Sequence, residues 1–411
     1  MKKITFLFYL ISILGFSQTP ITDSNIWTAV NTCLSTNPVD GLCSSSEYGA
    51  MPDWDVSQVT SMSSRFKNKN SFNADISAWD VSNVTDMWSM FDNANAFNQD
   101  ISAWDVSNVT NMGNMFYSAQ AFNQDISDWD VGNVDNMRRM FRSATSFNQD
   151  IGDWNVSSVI TMELMLTGTT SFNQDISAWD VSSVTNMDSL FWSATSFNQD
   201  ISGWDVSSVT DMKYMFSYAT SFNQDISAWD VSNVTNMLSM FWQAYSFNQD
   251  ISDWDVSNVF NMGLMFWESD LSTENYDAIL TGWSDLNLQQ DVSLGANDIN
   301  FCTSEIARQS IIDTNNWSIL DAGLESSDCS SLSIDDVNSL SFSIYPNPTN
   351  SFLIIENIEN PITVSIYNVS GKKVLLTMNT NKIDVKKLSN GVYFIRIYDG
   401  IRQTNKQFIK F

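Results

Sequence analysis

The chain has 411 residues, and it carries 47 Asp and Glu against 19 Lys and Arg, a net charge of −28. A surface this acidic repels the phosphates of nucleic acids, and because the sequence contains no His, His-based triads and His-ligated zinc sites are excluded. Aromatic residues make up 13% of the chain, which provides enough apolar surface for a folded core. The length allows several domains or one long array of repeats.

The amino terminus has the pattern of a secretory signal peptide. Lys2 and Lys3 precede an apolar stretch over residues 4–16, and small residues follow where signal peptidase cleaves. We therefore predict a signal peptide over residues 1–17 and a mature chain that starts at Gln18. The apolar stretch is shorter than the roughly 20 residues that cross a bilayer, and no later segment is long enough, so no transmembrane segment is predicted.

The segment after the signal peptide has no repeats and is predicted to form an N-terminal cap over residues 18–50. Within it, residues 25–33 predict a helix. Disulfides are expected because a signal peptide implies an oxidising exterior. The chain has four Cys, and proximity in sequence predicts that Cys33 pairs with Cys43.

The middle of the chain repeats with a period of 25 residues. The unit reads FNQDISAWDVSNVTNM and continues into a variable stretch. A unit this short cannot bury its own apolar face, whereas stacked units bury each other's faces. The period is kept by nine Trp residues, Trp54, Trp79, Trp104, Trp129, Trp154, Trp179, Trp204, Trp229 and Trp254. It is also kept by eight Phe residues, Phe72, Phe97, Phe122, Phe147, Phe172, Phe197, Phe222 and Phe247.

Each unit is predicted to contain a short strand and a short helix. Trp79 and Val81 would share the buried face of the strand, so Asp80 between them faces solvent. The helix is predicted from apolar residues at the spacing i, i+3, i+4 and i+7. These residues are Met87, Met90, Phe91 and Ala94. Nine such coils over residues 51–268 predict a solenoid with parallel strands and with ladders of Trp, Phe, Met and Ile inside.

The repeat unit resembles a known family. The string IxxWxVxxV is similar to the first part of the leucine-rich repeat pattern LxxLxLxxN, although Val84 and Asp86 depart from it. The whole unit, FNQDISxWDVSxVTxMxxMF, resembles the BspA-like leucine-rich-repeat surface proteins of bacteria. This resemblance implies an extracellular surface for adhesion or recognition, and it implies no catalysis.

Residues 269–330 are predicted to form a second cap at the far end of the repeats. They contain two helix-like stretches, STENYDAILTGW and TSEIARQSIIDTNNW. Proximity predicts a second disulfide there, between Cys302 and Cys329. Closing this loop would stabilise the cap by roughly 3 to 4 kcal/mol on the chain-entropy account.

The C-terminal region has the opposite charge and follows a Ser- and Asp-rich linker over residues 331–340. Residues 340–411 contain nine Lys and Arg against four Asp and Glu. Short apolar runs separated by Pro and Gly predict a small all-β sandwich over residues 341–411. The strings IYPNPTN, YNVSGKKV and LSNGVYFIRI resemble the C-terminal sorting domain of type IX secretion cargo. The resemblance implies handling by the type IX machinery, export across the outer membrane, and release or attachment at the cell surface.

Two rows of Asp recur with the repeat. Side by side in a stack, carboxylates repel, so calcium is a candidate counter-ion for the first row. The first row is Asp55, Asp80, Asp105, Asp130, Asp180, Asp205, Asp230 and Asp255, and Asn155 interrupts it. The second row lies in the FNQD turn, where an Asx-type hydrogen bond to the backbone is favoured. It comprises Asp75, Asp100, Asp125, Asp150, Asp175, Asp200, Asp225 and Asp250.

The positions that vary between repeats are the candidates for ligand binding. Exposed aromatic side chains there could stack on sugar rings or anchor a protein partner, or they could pack along neighbouring units. The candidates are Trp192, Trp242, Trp267, Tyr117, Tyr218 and Tyr245. Three basic residues, Arg138, Arg139 and Arg142, form either a local contact point or a solvated face.

These observations predict a secreted or cell-surface protein, without catalytic activity, that mediates adhesion or binds an extracellular protein or glycan. One alternative is a structural surface-layer protein that calcium stabilises through the Asp rows. Another is an accessory module of a glycan hydrolase. A catalytic carboxylate pair is disfavoured because it requires two distinct environments, whereas the Asp rows are nearly equal copies. Neither nucleic acid nor any cofactor other than calcium is expected.

Overall fold

The computed structural model describes residues 19–325, 329, 342–356, 363–368, 372–378, 380–398 and 403–411. The predicted signal peptide and the predicted linker lie outside these residues. The chain divides into two compact units, Met1–Leu324 and Glu325–Phe411. Among the described residues, no helix has the length and apolarity needed to cross a membrane.

The N-terminal cap contains helix α1 (Ile26–Thr36), which confirms the predicted helix and extends it by one turn. Cys33 and Cys43 form the predicted disulfide. The side chain of Asp23 joins the cap to the first repeat, because its Oδ1 accepts hydrogen bonds from the amides of Thr60 and Ser61 at 3.0 and 3.2 Å.

The repeats stack on one another in register through their backbones. In each unit, the residue equivalent to Asp86 forms an isolated parallel bridge to its equivalents in the units before and after. The bridged residues are Ser61, Asp86, Asn111, Asn136, Thr161, Asn186, Asp211, Asn236 and Asn261. The predicted strand is therefore reduced to a single bridged residue, five positions after Val81. The predicted facing is confirmed, since Trp79 and Val81 are buried and Asp80 is exposed.

The predicted helix of the repeat is wrong, because residues 54–271 contain no helix. Two consecutive turns replace it, closed by bonds from the amide of Met90 to Met87 O (3.1 Å) and from that of Ala94 to Phe91 O (2.9 Å). Ser89 and Asn93 have φ values of 54° and 56°, in the left-handed region that a right-handed helix does not contain.

Alternate backbone amides of these turns donate to the next unit instead of within a helix. The amides of Met87, Ser89, Phe91 and Asn93 donate to the carbonyls of Asn111, Gly113, Met115 and Tyr117, at 2.7–2.9 Å. The amides of Met90, Asp92 and Ala94 close the turns, and that of Trp88 donates to Oδ1 of Asp86. The backbone donors of this buried strip therefore find partners without a helix. The apolar residues that predicted the helix are still all buried.

The interior of the stack consists of rings in ladders. The rings of Phe91 and Phe97 lie 3.9 Å apart within one unit, and those of Phe91 and Phe116 lie 5.5 Å apart across units. Each repeat Trp is buried. From Trp79 onward, the indole Nε1 donates to a carbonyl 28 residues earlier, as Trp179 does to Ile151 O at 2.9 Å, whereas that of Trp54 donates to Gly49 O. The predicted packing role of the Trp residues is confirmed.

The second cap continues the ladder at the end of the repeats. It comprises α2 (Thr273–Ser284), β1 (Ser293–Phe301), α3 (Glu305–Asn315) and β2 (Ser318–Leu324), which confirms both predicted helices. The two strands pair in parallel, and Leu294 bridges Met262 of the last unit. A side chain at Gly295 would place its Cβ 2.3 Å from the Leu264 amide nitrogen, so only Gly fits this approach. Cys302 and Cys329 are each disulfide-bonded.

The C-terminal unit is all β, as predicted. Its strands are β3 (Ser343–Tyr345), β4 (Phe352–Glu356), β5 (Thr363–Asn368), β6 (Lys373–Met378), β7 (Lys382–Asp384), β8 (Gly391–Tyr398) and β9 (Gln403–Lys410). They form two antiparallel sheets with the orders β3-β4-β7 and β6-β5-β8-β9. Leu353 and Ile355 of the first sheet share one core with Val364, Ile366 and Ile395 of the second.

Candidate binding face

The side chains that differ between units lie on the double turn, which places them side by side along the stack. We call the variable face the set of residues equivalent to positions 88 and 92. The first row is Ser63, Trp88, Gly113, Arg138, Glu163, Asp188, Lys213, Leu238 and Gly263. The second row is Lys67, Asp92, Tyr117, Arg142, Thr167, Trp192, Ser217, Trp242 and Trp267. Because the units are in register, each row brings together residues that are 25 positions apart.

Three of the six predicted aromatic residues come together at the C-terminal end of this face, with Trp242 and Trp267 in its second row and Tyr218 one position after that row. The rings of Trp242 and Trp267 stack with their centroids 6.1 Å apart and their planes 16° apart. Tyr218 meets Trp242 edge-on at 4.9 Å. All three rings remain partly exposed. We call these three residues the aromatic cluster; its rings pack along neighbouring units and also offer surface to a ligand.

The other three predicted aromatic residues lie apart from the cluster. The ring of Trp192 lies 6.1 Å from that of Tyr214, a contact that the sequence did not predict because Tyr214 occupies a left-handed turn position. Tyr117 lies under the guanidinium of Arg142, whose Cζ is 5.5 Å from the ring centroid. Tyr245 is 52% exposed and is not part of these ring contacts.

The middle of the variable face carries ion pairs. Arg138 donates two hydrogen bonds to Glu163, from Nε at 2.8 Å and from Nη2 at 2.7 Å. This bidentate contact holds the pKa of Glu163 below its ordinary value. Lys213 lies 3.1 Å from Asp188, but burial raises the pKa of that carboxyl in spite of the pairing. The sequence did not predict these pairs, because their partners are 25 residues apart.

The two Asp rows form Asx turns, which confirms the favoured interpretation of the second row. Oδ1 of Asp75 accepts hydrogen bonds from the amide and hydroxyl of Ser77 at 3.0 and 2.7 Å. Oδ1 of Asp80 accepts the same pair from Ser82 at 3.1 and 2.6 Å. Each Asp thus fixes the start of a β-turn.

Asn155 shows that the first Asp row does not need its charge for this geometry. Its Oδ1 accepts hydrogen bonds from the amide and hydroxyl of Ser157 at 3.2 and 2.7 Å, as the Asp residues do from theirs. Asp80, Asp105, Asp130, Asp180, Asp205 and Asp230 were the predicted calcium ligands. Within the described residues, no group of three or more acidic or Cys side chains is arranged to hold a metal ion.

We predict that replacing Asp105, Asp180 and Asp205 together with Asn leaves the melting temperature at neutral pH nearly unchanged. The amide oxygen keeps the hydrogen bonds, as it does in Asn155. Bonds from the following Ser hydroxyl and amide lower the pKa of all three carboxyls below 3.8. Their stabilisation is therefore complete above pH 3.8 and is lost as the pH falls through the lower folded-state pKa. Thermal melts across this range will show a shallower acid-induced decline in the variant.

The same melts, repeated with and without millimolar calcium, test the metal. We expect no calcium-dependent shift in the parent protein. A calcium-dependent rise in melting temperature that the triple Asn variant loses would contradict this expectation. It would support the alternative of a surface-layer protein that calcium stabilises.

Two regions of the chain match known families. The repeats match the family described as "Mycoplasma protein of unknown function, DUF285" in four overlapping stretches, residues 42–151, 103–184, 124–220 and 176–283. Together these stretches cover more than half of the chain. Residues 343–410 match the family described as "Secretion system C-terminal sorting domain", which confirms the second predicted resemblance. A comparison with curated proteins finds no match. The resemblance of the repeats to BspA-like proteins stays a prediction.

Proposed function

Because the chain belongs to the DUF285 repeat family and ends in a secretion sorting domain, we propose that it is a cell-exterior protein that binds a protein or glycan through its variable face. The sorting domain supports handling by the type IX secretion machinery, and thus a secreted or surface-attached location. We propose no catalytic role, because the chain lacks His and its carboxylates recur as similar turn-forming copies.

We interpret the stacked units as a solenoid related in function to the BspA-like surface proteins, with turns in place of helices. The parallel bridges between successive units and the continuous buried ladders support this interpretation. A stack of this kind separates a constant interior from a surface whose residues are free to differ from unit to unit, a property that suits recognition.

The aromatic cluster is the observation that carries the binding proposal. Partly exposed Trp and Tyr rings supply large contact areas at low conformational cost, and such residues dominate binding energy at interfaces. The ring of Trp242 is fixed between Tyr218 and Trp267, so little further order has to be imposed when a ligand binds.

The test is binding of the full mature chain to glycan and protein arrays, beside a variant that carries Trp242→Ala and Trp267→Ala. We expect the variant to lose at least about tenfold in affinity for whatever the parent binds. Phe260→Ala is the control, because Phe260 is 61% exposed but lies outside the variable face. Equal binding by the parent and the double variant would refute the proposal, as would the absence of any ligand for the parent.

A further inference from the structure

A cleft of about 280 Å³ opens on the N-terminal half of the variable face. Its lining includes the cations Lys67, Arg138 and Arg139 and the rings of Trp88 and Tyr117. The volume is close to the lower limit of small-ligand sites in proteins. We call this feature the basic cleft.

At the edge of the cleft, the indole of Trp88 packs against Gly113. In the first row of the variable face, Gly113 lies between Trp88 and Arg138, so one side chain is missing from the row. A Cβ at this position would lie 3.1 Å from Cδ1 of Trp88. The indole of Trp88 therefore occupies the space that a side chain at position 113 would need, and Trp88 is 39% exposed as a whole.

The charge of the cleft is opposite to that of its surroundings. The chain has a net charge of −28, and residues 19–325 contain only eight Lys and Arg. Three of the eight line this one cleft, and a fourth, Arg142, covers Tyr117. Their acidic partners are fewer, with Asp92 at 2.7 Å from Lys67 and Glu163 shared by Arg138 and Arg139.

Two buried polar groups of the cleft have no hydrogen-bond partner. Oγ of Ser89 belongs to a fully buried residue that lines the cleft, and Nε of Arg139 is also buried. The guanidinium of Arg139 is 3.8 Å from Glu163, beyond hydrogen-bond range. Burial and the neighbouring charges of Arg138 and Arg142 lower the pKa of Arg139, as expected for a cation that lacks a full counter-charge. Both atoms lie beneath the accessible surface of the cleft, so a ligand pairs with them only if these side chains shift toward it. Unpaired buried polar groups are costly, which favours such a shift.

We propose that the basic cleft binds the anionic group of an acidic sugar unit within a polysaccharide. Arg and Lys side chains recognise carboxylate and sulfate groups through charge-assisted hydrogen bonds. The rings of Trp88 and Tyr117 supply apolar walls for the sugar ring beside that group. A nucleic acid is disfavoured because its many phosphates would meet the acidic surface around the cleft. This proposal deepens the proposed function by naming a ligand class, but it uses a site distinct from the aromatic cluster.

The test is a calorimetric titration of the full mature chain with short oligosaccharides. Oligogalacturonate supplies carboxylates, a sulfated galactan oligomer supplies sulfates, and a neutral galactose oligomer is the uncharged control. A phosphoserine peptide tests whether any anion suffices. We expect one or both acidic sugars to bind, with the neutral oligomer and the peptide at least about tenfold weaker.

Two variants locate the binding, and each has a matched control. Gly113→Leu displaces the Trp88 indole that forms one wall of the cleft, whereas Gly263→Leu adds the same side chain at the equivalent position beside Leu238. Arg139→Asn removes the incompletely paired cation, and the backbone tolerates Asn because Asn114 adopts the same left-handed conformation one unit earlier. Lys69→Gln makes the same charge change at a Lys that bonds Asn31 instead.

We expect Gly113→Leu and Arg139→Asn to weaken binding at least about tenfold, and the two controls to bind as the parent does. Thermal melts identify any variant that fails to fold. If no acidic sugar binds, if the peptide binds best, or if all variants bind alike, the proposal is overturned. Binding that Gly113→Leu loses but the Trp242→Ala and Trp267→Ala variant retains separates this site from the aromatic cluster.

Discussion

Replacing Trp179 with Ala will lower the free energy of unfolding by about 3–5 kcal/mol. Trp179 lies in the middle of the stack, and its ring stacks on that of Trp204 with centroids 6.2 Å apart. Truncation removes this contact, leaves a cavity, and deprives the buried Ile151 carbonyl of the indole donor at 2.9 Å. Urea unfolding, followed by circular dichroism, measures the loss.

Trp179→Phe is the matched control for this prediction. It keeps most of the ring packing but removes the indole donor, so we expect it to cost roughly 1–3 kcal/mol. Ile160→Ala provides a surface comparison, because Ile160 is exposed in the preceding unit. A Trp179→Ala variant as stable as Ile160→Ala would show that the Trp ladder does not hold the units together.

Replacing Asp277 with Ala will have a comparable effect, about 3–5 kcal/mol, at the end of the stack. Asp277 is buried on α2, and its carboxylate accepts hydrogen bonds from the amides of Cys302, Thr303 and Ser304 at 2.9–3.1 Å. The hydroxyls of Thr303 and Ser304 donate to it as well. Alanine would leave these donors buried and unpaired, so the packing of α2 against the start of α3 within the second cap should loosen.

The contribution of Asp277 depends on pH. Burial alone would raise its pKa, but the hydrogen bonds from Ser304, Thr303 and Cys302 outweigh it and lower the pKa below 3.8. Its stabilisation is complete above pH 3.8 and is lost as the pH falls through the lower folded-state pKa. As the pH falls below 3.8, the melting temperature should therefore decline less steeply for Asp277→Ala than for the parent. Asp298 is exposed in the same cap, so Asp298→Ala should change neither the stability nor this dependence on pH.

The repeat, its buried residues and the helices of the two flanking segments were predictable because side-chain burial leaves a direct trace in sequence. Trp at an unbroken spacing of 25 can only form a ladder if the units stack in register. The double turn was not predictable by the same means. The apolar spacing shows that Met87, Met90, Phe91 and Ala94 are buried. A helix and two consecutive turns both bury side chains at this spacing, so the pattern does not distinguish them.

The conformation of the double turn is set by hydrogen bonds between units, which sequence periodicity does not reveal. Some left-handed positions carry residues that favour that conformation, such as Asn114, but others carry Leu164 or Tyr214, which do not. At those positions the neighbouring units impose the backbone. The variable position that carries Trp242 and Trp267 was predictable, and so was the cluster of Arg138 and Arg139. The basic cleft as a whole was not, because its lining comes from four successive units.

Because the units repeat the same spacing, the number of units between two residues sets the distance between them along the stack. Most backbone bonds between units recur from one unit to the next, so a 25-residue unit can be gained or lost with little change in backbone pairing. Trp242 and Tyr117 occupy equivalent positions five units apart. At one strand spacing per unit, the distance between them is about 24 Å. The number of units therefore sets the distance between the two proposed sites, and with it the length of polymer that can bridge them.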